Sequence, residues 1–244
     1  AKDVLLEYLF HERGTVDPED RFGEEAVESA AARSLAAWPD EEMFRSLLKL
    51  SERRMLNGLI DALAAYERPE TIPYFERALE DDFYRATAER ALQRLGQVAC
   101  PALVRSAVTP RPASLLENPS SIERRRSALR ILNEIGITRQ QWEILRELLH
   151  DPDEELVVGA SRLGLPLASP EDRMTMARRL MALLASAPWH LQEDIEGLLV
   201  ALRDESAQRI AAEIAKKMTQ PGHIRAMDEG LRALLRVKRR VEKA

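Results

Sequence analysis

The sequence predicts an all-α protein, a right-handed solenoid of stacked antiparallel helix pairs, on three observations. Apolar residues recur every three to four positions along almost the whole chain, as in Phe83, Tyr84, Ala88, Ala91, Leu92 and Leu95, or Ala177, Leu180, Met181 and Leu184. That is the period of a helix with one buried face. Aromatic residues make up only 5% while Ala, Leu, Arg and Glu dominate, so strand formers are scarce and helix formers abundant. Helix start and stop signals also recur in one order along the chain, the mark of a structural repeat. With 244 residues, 45% of them hydrophobic, the chain is long enough to bury a sizeable core.

Taken in order, the predicted helices are 2–12, 23–37, 40–49, 51–66, 70–81, 83–95, 98–108, 121–135, 139–149, 152–164, 170–186, 189–203, 205–218 and 223–242. Ser120 with Glu123 and Thr138 with Gln141 fit the capping box, in which the first side chain accepts from an orphan amide and the second reaches back. Asp151-Pro152-Asp153-Glu154 and Ser169-Pro170-Glu171-Asp172 place proline in the first turn and acids at the positive end of the helix dipole. Gly96, Gly136 and Gly164 each follow a Leu or Ile and read as left-handed helix stops. Val157-Val158 is the one tempting β-branched pair, but it lies within a capped helical pattern, and Asn57-Gly58 falls between helical runs, so no strand is expected.

The segment Leu79-Glu-Asp-Asp-Phe-Tyr-Arg-Ala-Thr-Ala-Glu-Arg-Ala-Leu-Gln-Arg-Leu-Gly96 runs from one helix end across an acidic turn and through a second helix. Leu149 to Gly164 repeats that grammar, and Ser121 to Gly136, with Ala128, Leu129 and Leu132, is a third copy. Leu59 to Ala65 and Ile195 to Leu202 look like degraded copies. Ala30, Ala31, Ala128 and Ala160 are small enough for close helix approach. These motifs resemble the HEAT-like repeat, especially the short bacterial type named after phycobilin lyases. The match is clear over 70–165 and weaker over 1–66 and 188–244; Glu155-Leu156 stands where the repeat usually has Val-Arg. The resemblance implies that the pairs share one continuous core.

Thr109 to Ser121 is a Pro/Ser-rich linker that either divides two domains or forms an insertion loop. Because helical repeats continue on both sides, the reading is a single solenoid over 1–244 with an insertion at 109–121. Ala1 in place of an initiator Met points to a processed chain or a domain of something longer.

For chemistry, a lone cysteine excludes an intramolecular disulfide. Cys100, beside Pro101 and among Val98, Ala99, Ala102 and Leu103, reads as a small buried hydrophobe. No nucleophile elbow, phosphate loop or dinucleotide fingerprint occurs. His190, Glu193 and Asp194 share a helical face at metal-compatible spacing, yet their place at a helix start favours solvation and dipole capping. His11-Glu12 is the one His-Glu pair, where HEAT-repeat metal hydroxylases use several; His150 and His223 carry no expected role. No catalysis, cofactor or metal is therefore expected. No signal-type segment or long apolar run appears, and the expected location is the cytoplasm.

Binding remains. Net charge runs from −6 over the first fifty residues to +5 over the last forty-four, an asymmetry able to steer partners. Arg124, Arg125, Arg126 and Arg130, and Arg232, Arg236, Lys238, Arg239, Arg240 and Lys243, are basic clusters of the kind that neutralise phosphates. Some DNA glycosylases are built on HEAT-like helices, so nucleic-acid binding is one alternative, although interleaved acids and few aromatics argue against it. Leu231, Leu234, Leu235 and Val241 give the last helix an apolar face expected to dock on the body. The resemblance by itself implies a second alternative, a bilin lyase-like or chaperone module.

The main reading is a non-catalytic interaction scaffold or regulatory module. Such solenoids bind through the layer made by the second helix of each pair. Trp142, Leu145 and Leu149 read as core, leaving Arg139, Glu143 and Arg146 outward. At matching positions Arg105, Arg179 and Arg209 complete an arginine ladder suited to an acidic protein or peptide partner, since guanidinium groups pair bidentately with carboxylates.

Overall fold

The computed structural model describes residues 2–11, 18–112, 117–220 and 228–243, with side chains 18–22 aside. Every regular element among them is helical. The chain divides into two compact units, 1–135 and 136–244.

In the first unit, α1 (Lys2–Phe10) pairs with α2 (Pro18–Leu35), α3 (Glu41–Ser51) with α4 (Asn57–Ala64), α5 (Ile72–Ala78) with α6 (Asp82–Leu95), and α7 (Cys100–Val108) with α8 (Pro119–Ile135). The second helices α2, α4, α6 and α8 pack in succession as one layer. Stacked antiparallel pairs follow from the pattern: each hairpin has an apolar stripe that only a neighbour can cover. Leu47, Leu59, Ile60, Leu63, Phe75 and Leu92 are all fully buried between the layers.

The second unit repeats the plan with α9 (Arg139–Leu145), which tightens into a 3-10 turn over Arg146–His150, α10 (Glu154–Gly164), α11 (Pro170–Leu183), α12 (Trp189–Ala201), α13 (Arg203–Met218) and α14 (Glu229–Val241). Its second helices α10, α12 and α14 form one layer; the 3-10 turn, α11 and α13 form the other. Trp142, Leu145 and Leu149 are buried as expected. On α14 the buried face is Leu231, Leu234 and Val237, while Leu235 is 36% exposed.

Local signals are realised unevenly. The Thr138–Gln141 capping box is formed, Asp153 accepts from the Leu156 amide, and Ser169 with Asp172 makes a second capping box. The box expected from Ser120 and Glu123 is not formed, because α8 begins at Pro119 and Glu123 pairs with Arg126 at 3.0 Å. Gly96 and Gly136 adopt positive φ, 57° and 79°, as helix stops. Gly164 does not; it is the last residue of α10 and lies against the Trp142 indole. Ala30, expected at a helix contact, is exposed. The close approach of α2 and α4 is made by Ser29 and Gly58.

The Pro/Ser-rich stretch lies inside the first unit, and its residues 113–116 are outside the described residues. Arg124, fully buried, clamps it: Nη1 donates to the Ser106 hydroxyl at 2.6 Å and Nη2 to the Thr109 carbonyl at 2.7 Å. Its Nε lies 3.0 Å from Glu80 Oε1, a charge contact whose angle does not make a hydrogen bond. Burial pushes the Arg124 pKa down and neighbouring Arg111 adds to that, while Glu80 and Glu76 oppose both. Arg125 donates to the Ala107 carbonyl at 2.9 Å and pairs with Glu117 at 2.6 Å. We expect Arg124→Met to lower unfolding free energy by about 3 kcal/mol, since it strands the buried Ser106 and Thr109 acceptors and removes one of the two guanidinium partners of Glu80, leaving Arg111. Arg124→Lys should restore little, because one ammonium cannot span acceptors on three residues. Urea denaturation checks both; wild-type stability in Arg124→Met would show that the clamp is dispensable.

Candidate binding groove

A repeat protein binds with whatever polar groups its own packing leaves unmatched, so the site is found by asking which charges the fold already uses. In the second-helix layer of the first unit several charges meet a neighbouring helix, and others pair within their own helix, as Arg85 does with Asp82. Arg33 donates from Nε and Nη2 to Asp61 Oδ2 at 3.0 and 2.8 Å; Arg130 pairs with Glu89 and Gln93 with Glu134, each at 2.7 Å. Such exposed pairs contribute little stability, about 0–1 kcal/mol each, but they fix helix register.

Much of the two basic clusters is engaged as well, though Arg239 and Lys243 are not. Arg124 and Arg125 are buried, Arg126 pairs with Glu123, and Arg236 and Arg240 both reach the buried Glu196 at 2.9 and 3.3 Å. Lys238 lies 3.7 Å from Glu242. A phosphate would have to compete with these carboxylates and carbonyls. Asp194, offered with His190 and Glu193 as a metal set, pairs with Arg162, and Cys100 is buried with its Sγ 3.4 Å from Gln97 Oε1. Glu12 and His223 are outside the described residues, and among those described no group of three or more His, Cys, Asp or Glu could hold a metal ion. No helix among them is long and apolar enough to cross a membrane.

The arginine ladder needs correction in two respects. Arg105 is on α7, Arg139, Glu143 and Arg146 belong to α9 and its 3-10 extension, Arg179 is on α11 and Arg209 on α13. All are first helices of their pairs, so the ladder does not line the second-helix layer. The rungs also differ in what they face. Arg179 turns inward and donates from Nε to the Leu149 carbonyl and from Nη2 to the Asp151 carbonyl, each at 3.0 Å, capping the 3-10 turn. Arg146 pairs with Glu143 at 3.3 Å. Arg139 and Arg105 are exposed. Burial pushes the Glu76 carboxyl up, and the Arg105 charge opposes that rise.

Arg209, on α13, lines the same two adjoining cavities as Arg178 on α11, about 500 and 400 Å³, along α11, α13 and α14. Small residues Ala182, Ala185, Ala212 and Gly230 leave the depression, and Met181, Leu184 and Leu234 contribute an apolar floor. Met174, 47% exposed, extends it. One wall is pinned: Lys217 Nζ donates to Asp228 at 2.8 Å, and that bond, with the Leu231 amide, holds the Asp228 carboxyl below its ordinary range. Arg178 and Arg209 are exposed and, among the described residues, neither has a carboxylate partner. Sequence reading reached Arg209 but took Arg179 for Arg178, and the lining methionines carried no signal distinct from core periodicity.

No family model and no curated protein matches the sequence. Among solved structures the chain is similar to the complex of CpcE and CpcF of phycocyanin lyase from Nostoc sp. PCC7120, at 16% identity over 99% of this chain and 94% of that chain, with a TM-score of 0.41. Values this low fix no family, and the all-helical architecture stands on the chain's own elements.

Proposed function

We propose that the chain is a helical-repeat interaction module that holds an acidic, amphipathic segment of a protein partner in the α11–α13–α14 groove. The observation that carries this reading is the pair of exposed guanidinium groups, Arg178 and Arg209, which form no ion pair with a described residue and stand beside an apolar floor, in a groove that Glu213 and Glu171 also line. Arg and Met are both favoured at interfaces, one for bidentate carboxylate pairing and the other for adaptable apolar contact. Arg178→Glu and Arg209→Glu, both at exposed positions, should leave helicity unchanged and together weaken partner binding at least about a hundredfold. Capture from native lysate should lose its partners with this double variant and keep them with Arg139→Glu/Arg146→Glu. Equal capture by the wild type and the double variant would overturn the reading.

A second reading is a bilin lyase-like or chaperone module, favoured by the same groove because an open-chain tetrapyrrole also joins an apolar body to carboxylates. Added bilin should then shift its absorption with the wild type and not with the double variant. Absence of any shift removes this option.

A further inference from the structure

Helix α11 carries two stripes of side chains. Met176, Ala177, Leu180 and Leu184 are buried against the body of the second unit. On the side away from them Glu171, Met174, Arg178, Met181 and Ala185 follow one another at steps of three, four, three and four, and all five line the adjoining cavities of the groove. Alternating steps of three and four are the heptad spacing by which one helix offers a seam to another helix. A surface helix has no structural need of a second seam, because its apolar stripe faces the core and polar residues take the rest. Met174 is nonetheless 47% exposed on it. The seam runs for four turns, about 21 Å at 1.5 Å per residue.

The charges on the seam set a register. Glu171 and Arg178 have opposite sign and stand seven residues apart, about 10 Å along the axis, with Met174 between them. Both are exposed, and among the described residues neither has an ion-pair partner. Other charges of the groove are matched internally: Glu213 lies 3.8 Å from Lys216, and Lys217 Nζ donates to Asp228 at 2.8 Å. Arg209, on α13, lines both cavities with Arg178, so positive charge gathers at the middle of the groove and an unmatched negative charge stands at its Pro170 end.

Resting on the groove reading above, we infer that the partner's segment is an α-helix of about four turns laid along α11. It carries a lysine or arginine opposite Glu171, a carboxylate seven positions away opposite Arg178 and Arg209, and apolar residues over Met174 and Met181. Glu171 then acts as a specificity-determining residue, since it repels a segment that is acidic throughout. An extended segment, at about 3.3 Å per residue, would have to carry the same two charges only three residues apart. Charge spacing therefore distinguishes the two conformations.

The test is fluorescence anisotropy of the full chain with labelled, end-capped, alanine-based peptides of one composition. The helical probe reads Lys-x-x-Leu-x-x-x-Glu-x-x-Leu, and the extended probe has its lysine and glutamate three residues apart. The helical probe should bind saturably, with a dissociation constant on the order of 100 μM or tighter, and the extended probe at least about tenfold more weakly. Far-UV circular dichroism of the mixture with the helical probe should exceed the sum of its parts. Changing the probe's lysine to alanine should cost several-fold in affinity with the wild type and nothing with Glu171→Ala, a variant at an exposed position that leaves the Ser169–Asp172 cap in place. Changing its glutamate to alanine should cost about tenfold with the wild type and less with Arg178→Ala/Arg209→Ala. No saturable binding, equal affinity for the two probes, no gain in ellipticity, or a lysine cost that persists in Glu171→Ala would overturn the helical register. If lysate capture still depends on Arg178 and Arg209 after such a result, only the register fails; capture unaffected by Arg178→Glu/Arg209→Glu removes the groove reading and the register with it.

Discussion

Gly58→Ala is expected to destabilise the first unit by about 3 kcal/mol or more. A Cβ on Gly58 would lie 1.7 Å from the Ser29 carbonyl oxygen, 2.4 Å from its carbon and 2.7 Å from Ser29 Cα. All three are backbone atoms, so no rotamer change relieves the clash and α2 must move away from α4. Alanine would otherwise favour the helix over glycine by about 1 kcal/mol, and the sign is therefore diagnostic: intrinsic propensity predicts stabilisation, the interhelical contact predicts collapse of the pair. Urea denaturation followed by circular dichroism separates the two, and a stabilised Gly58→Ala would mean that α2 and α4 do not meet there. Because the obstacle is main chain, changing the Ser29 side chain should rescue nothing.

The second large effect is a coupled one at Trp142 and Gly164. Trp142 is fully buried, and its Nε1 donates to Asp172 Oδ2 at 3.2 Å. Trp142→Ala should cost about 4 kcal/mol through the cavity it leaves. A Cβ on Gly164 would approach Trp142 Cη2 and Cζ3 to 2.3 Å and Cζ2 to 2.7 Å, so Gly164→Ala should cost about 2 kcal/mol or more by overpacking. Here the obstacle is a side chain. Trp142→Phe removes those outer ring atoms, and in that background the Gly164→Ala penalty should shrink by about 1 kcal/mol or more. Strictly additive effects in the double-mutant cycle would refute the contact.

The two glycines show how far the sequence could be read. Gly96, Gly136 and Gly164 share one local context, an apolar residue followed by glycine, and all three were expected to be left-handed stops. The first two stop their helices at positive φ, 57° and 79°, although Gly96, with ψ −131°, is not left-handed helical. Gly164 stays helical, and an indole from α9 occupies the space its Cβ would take, a reason for glycine that lies outside its own segment. Arg124 and Arg125 likewise read as part of a basic cluster of the kind that neutralises phosphates, yet they are buried because the Ala107 carbonyl at the end of α7, the Thr109 carbonyl and Glu117 meet them. Ser120 and Glu123 had the spacing of a cap, but Glu123 is engaged by Arg126 instead.

The sequence by itself determined the helical class, the order of the pairs, the caps at Thr138 and Ser169, and core positions such as Trp142, Leu145 and Leu149; Asp153, expected inside a helix opening at Pro152, is instead the cap of one opening at Glu154. Those properties depend on hydrogen bonds and periodicity within a few residues of chain. Tertiary structure alone decided which arginines remain available. Arg178 and Arg179 are neighbours, and one helical step rotates a side chain by about 100°, so one faces the groove with Arg209 while the other caps the carbonyls of Leu149 and Asp151. Periodicity locates a buried stripe only to within about such a step, and the partner on each side of the stripe is supplied by residues some thirty positions away.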